Sequence, residues 1–88
     1  MLAGKVIGSV VSTRKNKKLV GSKFMIVELE KKMGVNGSQI IAIDNIGAGI
    51  GESVLIATGS AARIGCDMDD APVDAAIVGI IDDGKIFQ

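Results

Sequence analysis

Apolar and polar residues alternate with a period of two along most of the chain, which is typical of β-strands that bury one face. The pattern predicts five strands, at about residues 3–12, 23–30, 39–44, 52–59 and 74–82. The second is the clearest, because Met25, Val27 and Leu29 alternate with a face that becomes acidic towards the end of the strand. Asn36-Gly37 is a strong turn signal between the second and third strands.

The alternation breaks once, at GSAARIG, residues 59–65. Ser60 is a candidate N-cap and Gly65 a helix stop signal, so we expect a helix of one to two turns here. Lys85 to Gln88 form a candidate short returning strand. Five main strands with one short helix before the last of them predict an all-β fold, a small OB-like β-barrel. A chain of 88 residues has room for one domain, which we assign to residues 1–88.

Composition suggests that this barrel does not bury all its apolar residues by itself. The chain is 48% apolar, with two phenylalanines and neither tryptophan nor tyrosine. A domain of this size removes only about 60–65% of its surface from water, so its core is thin. Apolar surface left outside such a core favours contact between subunits. The alternative is a compact monomer rich in valine and isoleucine.

Charge is balanced overall but unevenly distributed. Residues 1–32 carry eight Lys or Arg and two acids, net +6, whereas residues 33–88 carry two Lys or Arg and eight acids, net −6. A net charge of zero argues against a general nucleic-acid-binding protein, which normally has a basic excess. Opposite charges at two ends of one chain suit head-to-tail contact between identical copies. The alternative is two solvated charged loops.

The stretch DNIGAGIGE, residues 44–52, resembles a phosphate-binding loop only superficially. A dinucleotide fingerprint needs G-x-G-x-x-G before a helix, but here G-x-G-x-G precedes a strand, and the Lys-Ser/Thr of a Walker loop is absent. Two roles remain for Gly47, Gly49 and Gly51. They permit positive φ in a tight connection, or they let another backbone approach closely at a subunit joint.

Catalytic and metal-binding constellations are incomplete. The chain has no histidine and a single cysteine, Cys66, so a nucleophile would have no histidine base. Asp44 and Glu52 could form a carboxylate pair but have no nucleophile or metal cluster beside them. The acidic run at 67–70 lacks the remaining ligands of a calcium loop. We expect no enzyme activity, no cofactor and no metal, and, from the absence of a signal peptide or a long apolar run, a soluble cytosolic protein without a membrane partner.

An OB-like barrel also suggests binding of single-stranded nucleic acid, which stacks its bases on aromatic side chains. The two phenylalanines, Phe24 and Phe87, are far apart in sequence. We therefore keep this function only as the alternative.

Several ordered motifs together resemble the EutN/CcmL family, the pentameric vertex proteins of bacterial microcompartment shells such as carboxysomes and metabolosomes. The resemblance extends from Met1 to about Asp83. Its motifs are Thr13-Arg14-Lys15 with Leu19-Val20-Gly21, the block from Asp44 to Glu52, Gly59-Ser60-Ala61-Ala62-Arg63, and Pro72-Val73-Asp74. It implies an OB-like barrel, a homopentamer, hexameric shell proteins as partners, a non-catalytic role in the shell, and neither nucleic acid nor membrane as partner.

The motif residues are our candidates for the subunit interface or for shell contacts. They are Thr13, Arg14, Lys15, Asp44, Gly47, Gly49, Gly51, Glu52, Ser60, Arg63 and Asp74.

Overall fold

A computed structural model describes residues 1–11, 16–30, 38–65 and 73–82 of the chain. Its strands are β1 (Leu2–Val10), β2 (Lys23–Leu29), β3 (Gln39–Asp44), β4 (Ser53–Thr58) and β5 (Ala75–Ile81), with a 3₁₀ helix at Lys17–Leu19 and a helix, α1, at Ser60–Gly65. All five predicted strands and the helix are confirmed, with ends that differ by no more than two residues. The Asn36-Gly37 turn and the candidate strand at 85–88 lie outside the described residues.

The five strands close into a barrel in the order β1-β2-β3-β5-β4, which confirms the predicted OB-like architecture. Four of the five neighbouring pairs are antiparallel, and only β3 and β5 run parallel. In the described residues the β3–β5 pairing covers just two positions, Ile43 opposite Ala76 and Asp44 opposite Ile77. The first four residues of β3 therefore face a gap in the barrel wall.

The interior of the barrel is filled by one face of each strand. Val6, Val27, Val54, Ile56 and Ile77 are its most completely buried large side chains. Met25, Val27 and Leu29 all belong to this cluster, as the alternation in β2 predicts. Most members are aliphatic and of modest size, so the interior is narrow.

A second cluster lies on the outer wall, under α1 and the 3₁₀ helix. Ala62 of α1 is fully buried against Ile43, Ala57, Val73 and Ala76, and Leu19, Phe24 and Val78 pack at its margin. Small residues on both sides let this short helix approach the sheet closely. A Cβ added at Gly65 would lie 2.7 Å from Val78 Cγ1, so the glycine that ends α1 is required by helix–sheet packing.

Large apolar side chains remain exposed even with two clusters formed. Ten described residues show this, namely Met1, Ile7, Val11, Val20, Ile41, Ile46, Ile50, Leu55, Ile64 and Ile80. Such a density on so small a surface is typical of proteins that bury apolar area against a partner. Within the described residues, no helix has the length and apolar character needed to cross a membrane.

Candidate functional site

The loop between β3 and β4, residues 45–52, passes over one end of the barrel. Ala48, at its centre, is 6% exposed and belongs to the interior cluster. At the end of the loop, the Gly51 N–H donates to the Val6 carbonyl (2.7 Å), and the Val6 N–H donates to the Glu52 carbonyl (2.9 Å). The loop is therefore anchored to β1 on one side and to the core beneath it.

Asp44 fixes the start of this loop from inside the protein. It ends β3 on the same face as Ala42 and is only 2% exposed. Its Oδ1 accepts the N–H groups of Ile46 and Gly47, both at 3.0 Å. Its Oδ2 is buried without a hydrogen-bond partner. A carboxylate that accepts two backbone N–H groups holds a turn more strongly than a neutral acceptor would.

Glu52 fixes the second half of the loop in a similar way. Its Oε1 accepts the Gly49 N–H at 2.6 Å, while its own N–H donates to the Gly49 carbonyl at 3.1 Å. This reciprocal pair closes a tight turn across three residues. Asp44 and Glu52 thus each bind loop backbone, and neither is arranged as a catalytic acid or base with a nucleophile.

Glycine is needed at these three positions for two different physical reasons. Gly47 and Gly51 adopt φ values of +87° and +93°, a left-handed backbone that other residues rarely adopt. Gly49 does not, but a Cβ there would lie 3.2 Å from Glu52 Oε1. The positive-φ role is confirmed for Gly47 and Gly51, and Gly49 instead leaves room for the glutamate. Because the N–H groups of residues 46, 47, 49 and 51 already donate to protein oxygens, the loop offers no phosphate cradle.

A second group of candidate residues lies where β4, α1 and the start of β5 meet. The Gly59 N–H donates to the carbonyl of Asp74 (2.9 Å), and Arg63 Nη1 donates to the carbonyl of Val73 (3.2 Å). These bonds hold α1 against the strand that follows it. The Ser60 N-cap prediction is wrong, because α1 begins at Ser60 itself. Gly59, with φ of +63°, takes the capping position, which glycine tolerates well.

The candidate residues therefore fall into three sets. Asp44, Gly47, Gly49, Gly51 and Glu52 share the β3–β4 loop, whereas Ser60, Arg63 and Asp74 share the α1 corner. The third set, Thr13, Arg14 and Lys15, lies outside the described residues.

Sequence reasoning missed the apolar side chains that the loop displays. Ile46 and Ile50 are 48% and 67% exposed on either side of buried Ala48. The signal was present in the sequence I-G-A-G-I, where isoleucines alternate with a small buried residue. The regular spacing of the glycines predicts only the backbone conformation of this loop. The apolar surface that the loop exposes comes from the isoleucines that flank the glycines.

The geometry gives little support to the alternative functions. Among residues 1–11, 16–30, 38–65 and 73–82, no group of three His, Cys, Asp or Glu side chains is placed to hold a metal ion. Phe24 is the one aromatic side chain among these residues and packs at the margin of the outer cluster, whereas stacking of successive bases needs several aromatic side chains. Fold and loop together define a small barrel with a surface loop that is fixed by hydrogen bonds to its own backbone and exposes apolar side chains.

Comparison with known proteins identifies this barrel. The chain matches the family described as "Ethanolamine utilisation protein EutN/carboxysome" over residues 1–82. It is 47% identical over 83 residues to the bacterial microcompartment shell vertex protein GrpN of Rhodospirillum rubrum, covering 93% of each chain. It is 43% identical over 83 residues to the carboxysome shell vertex protein CcmL of Gloeobacter violaceus, covering 93% of this chain and 83% of that one.

A solved structure of the pentameric microcompartment shell protein GrpN from Rhodospirillum rubrum superimposes with a TM-score of 0.81 at 44% identity. The match covers 93% of this chain and 94% of that one. The chain belongs to the EutN/CcmL family. It is therefore a structural component of a bacterial microcompartment shell, located in the cytoplasm, and not an enzyme. The similarities support this role rather than binding of single-stranded nucleic acid.

Proposed function

We propose that five copies of this chain form a closed ring that occupies a vertex of a microcompartment shell and contacts hexameric shell proteins around it. The observation that carries the proposal is the similarity to a pentameric shell protein at 44% identity over nearly the full length of both chains. At that identity and a TM-score of 0.81, the two chains share the same backbone framework. A flat layer of six-fold units cannot close, and a five-fold unit supplies the missing curvature.

The molecule has the physical features that a ring requires. Contacts that join two different faces of identical subunits close into a ring when their rotation permits. The exposed apolar residues supply area to bury, and the uneven charge of the chain supplies complementary faces. Within the loop, Asp44 is buried and the glycines have no side chains, so these candidates contribute by shaping the loop. Ser60, Arg63 and Asp74 similarly shape the α1 corner.

The ring is tested by native mass spectrometry and by sedimentation velocity over a range of concentrations. We expect a species of five times 9.0 kDa that persists on dilution to micromolar concentration. A monomer that remains the sole species at every concentration would contradict the proposal. Addition of a single-stranded oligonucleotide is the control, and it should leave the sedimentation profile unchanged.

The vertex role is tested by co-expressing the chain with hexameric shell proteins and imaging the purified assemblies by electron microscopy. We expect closed polyhedral shells when the chain is present and sheets, tubes or open shells when it is omitted. Closed shells that form equally well without it would contradict the vertex role while leaving the ring intact.

A further inference from the structure

Two apolar depressions lie towards opposite ends of the barrel. The first, which we call the groove, has a volume of about 800 Å³ and is lined by Leu2, Ile26, Ile41, Gly59 and Asp74, among others. It lies along the gap left by the short β3–β5 pairing. Ile41 is 55% exposed there, and Asp74 is exposed beside it.

The second depression, which we call the loop pocket, is lined by residues that include Val11, Lys23 and Ile50. Val11 and Ile50 are 88% and 67% exposed. Two large aliphatic side chains this exposed within one depression are unfavourable in water unless a partner covers them. Ile50 belongs to the loop that Asp44 and Glu52 fix, so its position is set before any partner arrives.

The strand register shows how the two depressions lie relative to each other within one subunit. Lys23 pairs with Asp44 at one end of the β2–β3 ladder, and Glu28 pairs with Gln39 at the other. Leu2 and Val10, which line the groove and the loop pocket respectively, are the two ends of β1. Eight residues of strand separate these two ends by about 26 Å, but the depressions adjoin on β2, where Met25 lines the loop pocket and Ile26 lines the groove. The two depressions are therefore neighbouring faces of one subunit with different linings, as a ring built from one repeated contact requires.

From this placement we propose that the loop pocket of one copy docks on the groove of the next copy. Ile50 and Val11 contact the apolar wall that includes Ile41, and Lys23 lies opposite Asp74 of the neighbour. This docking rests on the proposed ring, which needs two different faces on each subunit. Both faces are mainly apolar. The groove has one negative charge, Asp74, and the loop pocket has one positive charge, Lys23. This complementarity selects a second copy of the chain as the occupant.

The first test replaces Ile50 by Asp, with Ile64→Asp as a matched control. Ile64 is the same residue type, is similarly exposed at 73%, lies on α1 and lines neither depression. We expect Ile50→Asp to raise the concentration at which the ring half-dissociates by at least about tenfold, because charge in a buried apolar contact is strongly unfavourable. Ile64→Asp should leave that concentration unchanged. Far-UV circular dichroism at low concentration verifies that both variants retain the strand content of the wild type.

The second test reverses the two charges, with Lys23→Asp, Asp74→Lys and the double variant. Each single reversal places like charges opposite one another and should weaken the ring by several-fold, whereas the double variant should recover it. Recovery indicates contact between chains when it appears in the dissociation midpoint of the ring while the stability of the isolated subunit is the same in all three variants. Recovery should also diminish at high salt, which screens exposed charges.

The outcomes separate the inference from the proposed function. A wild-type chain that never forms a pentamer overturns the proposed ring and the docking together. A wild-type pentamer that Ile50→Asp leaves intact, or that Ile64→Asp disrupts equally, overturns the docking alone. A double charge reversal no more stable as a ring than the weaker single variant likewise overturns it.

Discussion

Replacement of Asp44 by alanine tests whether the β3–β4 loop depends on one buried carboxylate. The change removes the oxygen that accepts the N–H groups of Ile46 and Gly47 at 3.0 Å. Hydrogen bonds to charged groups contribute about 1.5–3 kcal/mol each. Before any opposing effects are counted, the two bonds together therefore add about 3–6 kcal/mol to the free energy of unfolding.

Two effects oppose this loss. Oδ2 of Asp44 is buried without a partner, and removing it relieves a desolvation penalty of about 1–3 kcal/mol. Residues 46 and 47 are exposed, so water can reach their N–H groups once the carboxylate is gone. We therefore expect a net decrease of about 2 kcal/mol in the free energy of unfolding. For a domain of this size that corresponds to a fall in Tm of roughly 8–16 °C.

Asp44→Asn is the matched control, because it retains an acceptor oxygen at nearly the same position. A neutral acceptor forms weaker bonds than a carboxylate, so we expect about half the loss. The chain contains neither tryptophan nor tyrosine, so unfolding is followed by far-UV circular dichroism rather than by intrinsic fluorescence. All variants are compared at one protein concentration, since contact between copies raises the apparent stability.

Hydrogen exchange locates the effect. In Asp44→Ala the N–H groups of residues 46 and 47 should exchange much faster, while the barrel N–H of Val27 should change only as global stability does. The reasoning is refuted if Asp44→Ala stays within about 0.5 kcal/mol of the wild type, a change usual for uninvolved surface sites. It is also refuted if Asn destabilises more than Ala.

Three further tests concern the glycines, each by chemical denaturation unless stated. Gly47→Ala forces a side chain into a backbone with φ of +87° and should cost about 1–2 kcal/mol, clearly more than Gly49→Ala; equal losses would contradict the assignment. Gly4→Ala places a Cβ 2.7 Å from the Glu28 carbonyl oxygen and should destabilise the barrel strongly, whereas Gly8→Ala, whose nearest neighbour is a side-chain atom at 3.7 Å, should be close to neutral. Gly49→Val should displace Glu52 and yield monomer or aggregate on sedimentation, and an intact ring would count against this role of the glycine.

The strands were predictable because their signal is local. Alternation in β2 placed Met25, Val27 and Leu29 on one face, and the barrel interior needs that face to be apolar. Family resemblance supplied the ring and the shell, which no local pattern contains. The order of strands around the barrel depends on contacts between distant segments, and no local pattern predicts it.

The sequence did not predict features that depend on contacts between residues distant in the chain or on the path of a loop. The 3₁₀ helix at Lys17–Leu19 is a single turn, too short to show a periodic pattern of apolar residues. It is held by Asn16, whose Oδ1 accepts the Lys18 N–H at 2.9 Å. Gly59, not Ser60, caps the helix, because the Gly59 carbonyl accepts the N–H of Ala62, while the Gly59 N–H donates to the Asp74 carbonyl across the α1 corner. Burial of Ala48 inside the barrel follows from the path of the loop and not from its composition.

In the proposed docking, a residue without outside contacts controls assembly through the loop that it fixes. A flexible loop would lose conformational entropy on docking, and that loss would weaken each contact in the ring. Asp44 and Glu52 order the loop within the free subunit, so Ile50 is displayed without a further ordering cost. Asp44→Ala should therefore weaken the ring as well as the fold, although Asp44 is buried. A variant that lost stability but kept the ring's dissociation midpoint would show that docking does not depend on the order of this loop.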